Sequence, residues 1–328
     1  MGLTRVPRFL FLLLVGLTCS GAVAENSESH GGQTETRHLK VQNDDRQYVL
    51  HVPPGDRAKA LPLVIVLHGG GGTAATADRE AGWTAKADAA GFLVAMPEAT
   101  RPDPTNPAKF GVNNQTWNDG SGRFDSCKKN MPDVEFINAM IDDVSAAHPV
   151  DARRIYAVGF SNGASMTGRL GIELSARLAA IAMVAGTLWL EDQTPAHPVS
   201  LLYITGDADP LNPINGGIPK LAIGSTLKGG GSDRPTPPAI EKVTQWAKML
   251  GCQPESHPVG NTPPGVTTTI YSGGREGSET VFTIIAGQGH HWPGGNALLP
   301  EWIAGKWTPN LHGTDAIWDF FCKHHQGE

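Results

Sequence analysis

The amino-acid sequence predicts an α/β fold in which helices cover both faces of a mainly parallel β-sheet. Short apolar, β-branched stretches alternate with longer stretches of helical spacing, such as the one marked by Val134, Ile137, Ile141 and Val144. This alternation is typical of parallel strands joined by helical crossovers. The predicted strands cover 47–52, 63–67, 92–96, 155–158, 180–184, 201–205 and 281–286, and the predicted helices cover 74–90, 134–147, 163–174, 239–250 and 314–324.

Three long stretches interrupt the alternation of strands and helices. Residues 100–131, 211–238 and 292–311 are rich in Gly, Pro, Asn or Trp, and each is longer than a simple connection. Long loops on a rigid scaffold often carry binding residues. We therefore expect these three loops to lie over a ligand site, with no second domain in the chain.

The N-terminus has the pattern of an export signal. Arg5 and Arg8 precede an apolar run at 9–17, and a small-residue Ala-Val-Ala site follows at 22–24. The run is shorter than the ~18 to 20 residues that span a bilayer, so we expect no membrane span. The sequence predicts cleavage before Glu25 and a secreted or periplasmic protein.

This cleavage divides the chain into three parts. A signal peptide covers 1–24, a polar and disordered leader covers 25–36, and a single catalytic domain covers 37–328. Cys19 raises the alternative of a lipoprotein. Its preceding residues, Gly-Leu-Thr at 16–18, lack the Leu three positions before the Cys that lipidation requires, so cleavage without a lipid anchor is favoured.

Composition and charge exclude several classes of function. The net charge is -6 and the chain has no block of Lys and Arg, so it lacks the basic face on which nucleic-acid recognition rests. The 12 His residues include no His-Glu-x-x-His pattern, and we predict neither a metal nor any other cofactor. The expected partner is a small-molecule or oligomeric substrate.

Three cysteines remain after the predicted cleavage: Cys127, Cys252 and Cys322. An oxidising compartment favours one disulfide and one free thiol among them. Cys252 follows a predicted helix and Cys322 lies within the C-terminal one. We therefore predict a Cys252–Cys322 disulfide that staples the C-terminal helix.

A nucleophile motif lies between a predicted strand and a predicted helix. Residues 159–163 read Gly-Phe-Ser-Asn-Gly, the Gly-x-Ser-x-Gly pattern in the strand–turn–helix context that gives the motif its meaning. The two glycines permit a sharp turn that exposes the Ser161 hydroxyl at the top of the sheet. The motif predicts that Ser161 is the nucleophile of an α/β-hydrolase fold.

A serine nucleophile needs a base and an acid that orients the base. Asp207 and Asp209 follow the predicted strand at 201–205, and His290 and His291 follow the strand at 281–286. Within each pair only one side chain is expected to face the serine, and the other Asp is expected to form a turn. Spacing favours Asp209 and His290 and leaves both pairs open.

A glycine-rich loop is the candidate oxyanion hole. Residues 67–72 read Leu-His-Gly-Gly-Gly-Gly after a strand, similar to the His-Gly-Gly-Gly loops whose backbone amide stabilises a developing oxyanion. The amide after the nucleophile, that of Asn162, is the expected second donor. The loop lacks the Gly-Lys-Ser/Thr ending of a phosphate-binding loop, which disfavours nucleotide binding.

Six motifs together resemble the LpqC and polyhydroxybutyrate depolymerase-like esterases, which include feruloyl and acetylxylan esterases of carbohydrate esterase family 1. The resemblance runs from about residue 46 to 321. It is carried by Leu-His-Gly-Gly at 67–70, Thr-Trp-Asn-Asp-Gly at 116–120, Asp-Val-Glu-Phe-Ile at 133–137, Gly-Phe-Ser-Asn-Gly-Ala-Ser-Met at 159–166, Gly-Asp-Ala-Asp-Pro at 206–210 and Gly-His-His-Trp-Pro-Gly-Gly at 289–295.

The resemblance implies roles for individual residues. It places the acid at Asp209, which directly precedes a Pro, and the base at His290, two residues before Trp-Pro-Gly. It places the first oxyanion donor at the amide of Gly70, where the family often has Cys. The implied activity is that of a carboxylic-ester hydrolase on feruloyl or aryl esters or on hydroxyalkanoate oligomers.

Two tryptophans in the predicted loops are candidate substrate contacts. Trp117 and Trp292 offer flat apolar faces suited to an aromatic acyl group, a sugar or a polyester chain, and loop packing is the alternative for both.

Two other functions use the same fold: a secreted binding protein without catalysis, and an acyltransferase with the same triad.

Overall fold

The structure is a computed structural model that describes residues 1–2, 31–56, 58–190, 193–219, 234–253, 256–259 and 262–327. Residues 3–24 of the predicted signal peptide, its cleavage site and Cys19 lie outside these residues. Residues Gly31–Glu328 form one compact unit. No helix in the described ranges is long and apolar enough to cross a membrane.

Ten strands in the described part of the chain form one sheet in the order β1-β2-β4-β3-β5-β6-β7-β10-β9-β8. The strands from β4 to β10 in that order pair in parallel, and both edges are antiparallel. The strands are β1 (Gln33–Val41), β2 (Asp44–Val52), β3 (Leu61–Leu67), β4 (Leu93–Pro97), β5 (Val150–Phe160), β6 (Ala180–Val184), β7 (Ser200–Gly206), β8 (His257–Pro258), β9 (Val266–Tyr271) and β10 (Thr280–Ile285).

Helices cover both faces of this sheet. They are α1 (Ala74–Ala81), α2 (Trp83–Ala90), α3 (Asp125–Lys128), α4 (Asp133–Ala147), α5 (Asn162–Glu173), α6 (Ala239–Leu250), α7 (Glu301–Ala304) and α8 (Gly313–Phe321). Along β3, Leu63, Ile65 and Leu67 pack with α4, α5 and α6, whereas Val64 and Val66 pack with α1, α2 and α8. Because neighbouring side chains of a strand point to opposite faces, each strand contributes to two hydrophobic layers. The predicted α/β architecture is confirmed.

The predicted disordered leader is wrong for its last four residues. Residues 33–36 form the first part of β1, which pairs antiparallel with β2 from Gln33 opposite Val52 to Val41 opposite Asp44. The side chains at 33–36 are polar and exposed, so their composition is that of a leader. Backbone pairing along the sheet edge, which does not depend on apolar side chains, orders them.

The structure also differs from the prediction in a break within one helix and in an additional strand. The helix predicted at 74–90 is two helices, because Gly82 adopts a left-handed conformation with φ 71° and ends α1. The strand β9 was not predicted, since its sequence Val-Thr-Thr-Thr-Ile-Tyr has little apolar alternation. The segment is a strand because its backbone pairs antiparallel with the buried strand β10, and this pairing does not depend on an apolar alternation in its own sequence.

The predicted Cys252–Cys322 disulfide is also wrong. Within the described residues Cys127, Cys252 and Cys322 are free thiols. Cys252 packs with the layer of α6, beside Ser278, whereas Cys322 ends α8 on the opposite face of the sheet. A disulfide requires Cα atoms within about 7 Å, and the sheet lies between these two residues.

Candidate active site

The parallel strands bring four predicted segments to one edge of the sheet. β3, β5, β7 and β10 run in the same direction, and their carboxyl ends meet at that edge. Four segments follow these ends in chain order: residues 68–72, named here the Gly70 loop, and the segments that carry Ser161, Asp209 and His290. A crevice outside the carboxyl ends of parallel strands is the general location of ligand sites in open α/β sheets.

Ser161 lies in a strained turn between β5 and α5, with φ 54° and ψ -120°. Both flanking glycines are sterically required. A Cβ on Gly159 would lie 2.3 Å from the carbonyl carbon of Gly163, and a Cβ on Gly163 would lie 2.4 Å from the carbonyl oxygens of Leu67 and His68. Residues with positive φ persist only where surrounding packing holds them, and such strain is concentrated at active sites.

A continuous hydrogen-bonded chain links Ser161, His290 and Asp209. Nε2 of His290 lies 2.9 Å from Oγ of Ser161, and Nδ1 of His290 lies 2.7 Å from Oδ2 of Asp209. Asp209 is buried, and its Oδ1 accepts hydrogen bonds of 2.8 Å from the backbone N–H groups of Leu211 and Asn212. The carboxylate is therefore fixed from two sides and holds the Nδ1–H tautomer of the imidazole.

The other member of each pair has a different place. Asp207 is exposed, and its Oδ1 accepts a 2.7 Å hydrogen bond from the N–H of Gly287. This bond joins the loop that carries Asp209 to the loop that carries His290, named here the histidine loop. His291 is buried, and its Nε2–H donates to the carbonyl of Gly305 at 2.8 Å. Burial lowers the pKa of His291, so this ring is a neutral structural donor.

The histidine loop is held by residues 304–308, named here the strap. The N–H of His290 donates to the carbonyl of Ala304, and the N–H of Gly289 donates to Lys306, both at 2.6 Å. A Cβ on Gly289 would lie 2.1 Å from the carbonyl oxygen of Ala304. Glycine at position 289 therefore permits the close approach that orients His290.

The Gly70 loop lies beside the first turn of α5. A Cβ on Gly70 would lie 3.6 Å from Cβ of Asn162. In the described part of the chain, no atom accepts a hydrogen bond from the backbone N–H of Gly70 or Asn162.

His68 is buried at the start of the Gly70 loop. Its Nδ1–H donates to the carbonyl of Gly69 at 2.8 Å, and its Nε2 accepts from the N–H of Ala99 at 3.1 Å. Burial lowers the pKa of His68, consistent with a neutral ring that shapes the loop.

The predicted substrate contacts of Trp117 and Trp292 are wrong. Their exposed fractions are 0% and 2%, so neither ring presents a face to a ligand. Nε1–H of Trp117 donates to the carbonyl of His68 at 2.9 Å, and Nε1–H of Trp292 donates to Oγ1 of Thr314 at 3.0 Å. Both side chains pack in the walls of the site. Loop packing was the alternative given for them, and composition alone does not distinguish it from ligand contact.

Other aromatic side chains, on segments that contact the site loops, are exposed and were not predicted as substrate contacts. Trp302 on α7 is 75% exposed, and Trp307 on the strap is 39% exposed. Phe110 is 44% exposed and lies against Gly71, where a Cβ would be 2.7 Å from its ring. The loops at 100–131 and 292–311, which contain these residues, were identified from composition. The sequence did not indicate which aromatic residues in them are exposed.

Glu80 is a second acidic group near the histidine, and sequence spacing offered no signal for it. It lies on α1, where its carbonyl accepts from the N–H of Asn296 at 2.9 Å. Burial raises the pKa of the Glu80 carboxyl to about 7, although His290, Arg79 and the backbone N–H of Trp292 each oppose the rise. The carboxyl therefore titrates near neutrality beside His290.

The mainly parallel sheet covered by helices on both faces is an α/β-hydrolase fold. The acetyl xylan esterase of Aspergillus awamori has a similar structure, with a TM-score of 0.55 and 15% identity over 88% of this chain and 99% of that chain. At this identity the likeness concerns the fold alone.

The chain belongs to the Esterase PHB depolymerase family, whose model matches residues 46–219. It is 31% identical to NocK of Nocardia uniformis subsp. tsuyamanensis, named as an esterase, over 88% of this chain and 82% of that protein. It is 30% identical to Feruloyl esterase B of Piromyces equi over 75% of this chain and 42% of that protein. These relationships make the chain a carboxylic-ester hydrolase.

Proposed function

We propose that the protein is a secreted serine esterase that works through an acyl-enzyme on Ser161. His290 takes the proton of the Ser161 hydroxyl as Oγ forms a bond to the ester carbonyl carbon. The imidazolium then protonates the leaving alcohol as the ester C–O bond breaks. Water attacks the acyl-enzyme by the same route, which releases the acid and returns the proton to Ser161.

The hydrogen-bonded chain from Asp209 through His290 to Ser161 carries this proposal. Its two distances of 2.7 Å and 2.9 Å lie within the reach that general base catalysis needs. Asp209 keeps the Nε2 lone pair directed at the serine and stabilises the imidazolium. The N–H groups of Gly70 and Asn162 are the proposed donors to the oxyanion that forms on the carbonyl oxygen.

The test of the nucleophile is replacement of its hydroxyl. In the Ser161→Ala variant we expect hydrolysis of p-nitrophenyl butyrate to fall by about 10³-fold or more, since no acyl-enzyme can form. Ser145→Ala is the matched control. Ser145 lies on α4, and among the residues that the structure describes its hydroxyl bonds only the helix carbonyl of Ile141, at 2.7 Å. Retention of most activity by Ser161→Ala would contradict the proposal.

A fluorophosphonate probe separates catalysis from simple binding. The probe forms a bond between phosphorus and an activated serine oxygen with loss of fluoride, so we expect an adduct on Ser161 by peptide mass spectrometry. A correctly folded protein that gives no adduct would be a binding protein on the same fold. An acyltransferase would give the adduct but would prefer an added alcohol to water as acceptor.

Feruloyl or aryl esters and hydroxyalkanoate oligomers are the proposed substrates. The family description and the name of Feruloyl esterase B support these classes. Exposed Phe110 lies against Gly71, and exposed Trp302 and Trp307 lie on segments that bond the backbone at His290 and Gly289. Their apolar surface suits an aromatic ring or a polyester chain. Turnover of methyl ferulate, an acetylated sugar and a hydroxybutyrate oligomer under one condition separates them. Preference for the acetylated sugar would reject both proposed classes.

Secretion rests on the N-terminal pattern of Arg5, Arg8 and the apolar run that follows. We expect the exported protein to begin at Glu25, which N-terminal sequencing of the mature protein reads directly. A mature N-terminus at Cys19 would instead indicate lipidation.

A further inference from the structure

Residues 115–119, named here the bridging segment, bond both the loop that carries Gly70 and the side chain of Asn162, the two residues proposed as oxyanion donors. On one side the segment holds the loop that carries Gly70. The N–H of Gly71 donates to the carbonyl of Gln115 at 2.7 Å, and Nε1–H of Trp117 donates to the carbonyl of His68 at 2.9 Å. The residues on either side of the Gly69–Gly70 turn are therefore fixed to this segment.

On the other side the bridging segment holds the side chain of Asn162. The N–H of Trp117 donates to Oδ1 of Asn162 at 2.7 Å. Nδ2 of Asn162 donates to Oδ2 of Asp119 at 2.8 Å and to the carbonyl of Trp117 at 3.2 Å. Asn162, Trp117 and Asp119 are all buried, with exposed fractions of 5%, 0% and 1%. A buried amide bonded at both ends has one orientation.

Asp119 is itself fixed at its second oxygen. Its Oδ1 accepts from the N–H of Ser121 at 3.0 Å and from the Cys127 thiol at 3.3 Å. Burial raises the pKa of the Cys127 thiol, so the sulfur keeps its proton and acts as a donor. A carboxylate acceptor makes a shorter and stronger bond to an amide than a neutral acceptor does, which makes the position of Asn162 stiffer.

The bridging segment is also anchored to the protein core. The N–H of Asn118 donates to Oδ2 of Asp133 at 2.7 Å, and Oδ1 of Asp133 pairs with Arg46 at 2.7 Å. Asp133 begins α4, and both members of the pair are buried. A shift of the segment would therefore break a buried ion pair with its hydrogen bonds, which is costly.

We propose that Asp119 and Asn162 are positioning residues of the oxyanion hole, which set the backbone N–H of Asn162 against that of Gly70 through the bridging segment. This inference rests on the proposed esterase function. Oxyanion donors act only when they lie about 2.7 to 3.1 Å from the oxygen of the tetrahedral state. The two donors lie in different parts of the chain, so the bridging segment, which bonds both parts, maintains the distance between them.

The test exchanges the donor and the acceptor of the Asp119–Asn162 bond. In Asp119→Asn either amide orientation sets one N–H donor against another, and in Asn162→Asp two carboxylates face each other. The double variant places the amide donor at position 119 and the carboxylate acceptor at position 162. The N–H groups of Trp117 and Ser121 keep their acceptors in the double variant, and only the 3.2 Å bond to the Trp117 carbonyl is lost.

We expect each single variant to lower kcat for p-nitrophenyl butyrate by about 10- to 100-fold with KM changed less than about threefold, the mark of an interaction specific to the transition state. The double variant is expected to recover kcat to within about fivefold of the wild type, so the pair couples strongly in a double-mutant cycle. Either single variant suffices to measure the kcat loss if the other fails to fold.

A tetrahedral mimic separates positioning from a general structural role. Phenylboronic acid adds to the nucleophile, and we expect its Ki to rise in each single variant by about the factor that kcat/KM falls. Binding of the product acid is expected to stay constant. Single variants with kcat within about twofold of the wild type, an unchanged boronate Ki, or a double variant no better than the singles would overturn the inference.

This outcome is distinct from failure of the proposed function. If the wild type reacted with no fluorophosphonate at Ser161, the esterase proposal would fail before the comparison of variants began. If the wild type were labelled and the single variants were as active as it is, only the positioning role would fail.

Discussion

The two halves of the candidate site are built in different ways. In the nucleophile half, Ser161 is placed by the backbone of one strand–turn–helix unit, β5 and α5, against β3. Its geometry depends on the absence of side chains at Gly159 and Gly163. In the acid–base half, Asp209 and His290 are placed by hydrogen bonds that join loops distant in sequence, such as the bond from His290 to Ala304.

This difference separates the consequences of mutation. A side chain added at Gly159 or Gly163 would force backbones apart, so we expect the fold and the site to be lost together. A change to His290 or Asp209 removes a chemical group from loops that other residues hold, so activity is lost from a folded protein. The adjacent residues Asp207 and His291 hold those loops without facing Ser161.

The largest expected effect is that of Gly163→Ala. Its Cβ would lie 2.4 Å from the carbonyl oxygens of Leu67 and His68, so we expect the free energy of unfolding to fall by about 3 kcal/mol or more. Gly70→Ala is the matched control for stability, because its Cβ would meet its nearest atom at an ordinary 3.6 Å. Thermal unfolding of both variants measures the contrast. Equal melting temperatures would show that the turn tolerates a side chain.

The two histidines provide a sharper test of the acid–base half. We expect His290→Gln to lower kcat by about 10³- to 10⁴-fold with little change in melting temperature. His291→Ala removes a buried donor to Gly305, so we expect a loss of about 2 kcal/mol in stability and less than about tenfold in kcat. Steady-state kinetics and urea unfolding on both variants measure this. The reverse pattern would assign the base to His291.

The smallest expected effect concerns the pH dependence of stability. Glu80 has its folded-state pKa raised from 4.5 to about 7, so its ionisation favours the unfolded chain. The wild type therefore loses stability as pH rises through about 7, and Glu80→Gln removes that loss. We expect a gain for the variant that is absent below pH about 4.5, grows up to about 7 and then stays near 1 kcal/mol.

Urea unfolding of the wild type and Glu80→Gln at a series of pH values measures this gain. A gain of equal size at every pH would mean that the substitution acts through packing and not through titration of the carboxyl. The comparison also bears on the acid–base half, because the Glu80 carboxyl on α1 interacts electrostatically with His290.

Local patterns were sufficient for the α/β architecture and for the turn at Ser161. A strand, a Gly-x-Ser-x-Gly turn and a helix follow each other within a few residues, so their geometry depends on short-range sterics that the sequence displays. The chain order of Asp and His after successive strands was equally readable. Parallel strands bring such loops to one edge of the sheet whatever the remaining details are.

Contacts between distant segments could not be read in the same way. The placement of Trp117 and Trp292 inside the walls, the exposure of Trp302 and the free thiols on opposite faces of the sheet follow from packing. A tryptophan in a loop has the same composition whether its ring is covered or open. Only the neighbouring elements decide which of the two occurs.

The sequence by itself determined the class of fold, the serine in its turn and the order in which acid and base follow it. Spacing left open which Asp and which His face Ser161, and the family resemblance predicted Asp209 and His290. The tertiary structure shows the long-range hydrogen bonds that place these two residues, since adjacent side chains in a loop point to different sides. It also brings Trp117 and Asp119 into hydrogen-bond contact with Asn162, the contacts on which the proposed positioning role rests. Trp117 lies 45 positions and Asp119 lies 43 positions from Asn162 in the chain, and folding alone brings them into contact.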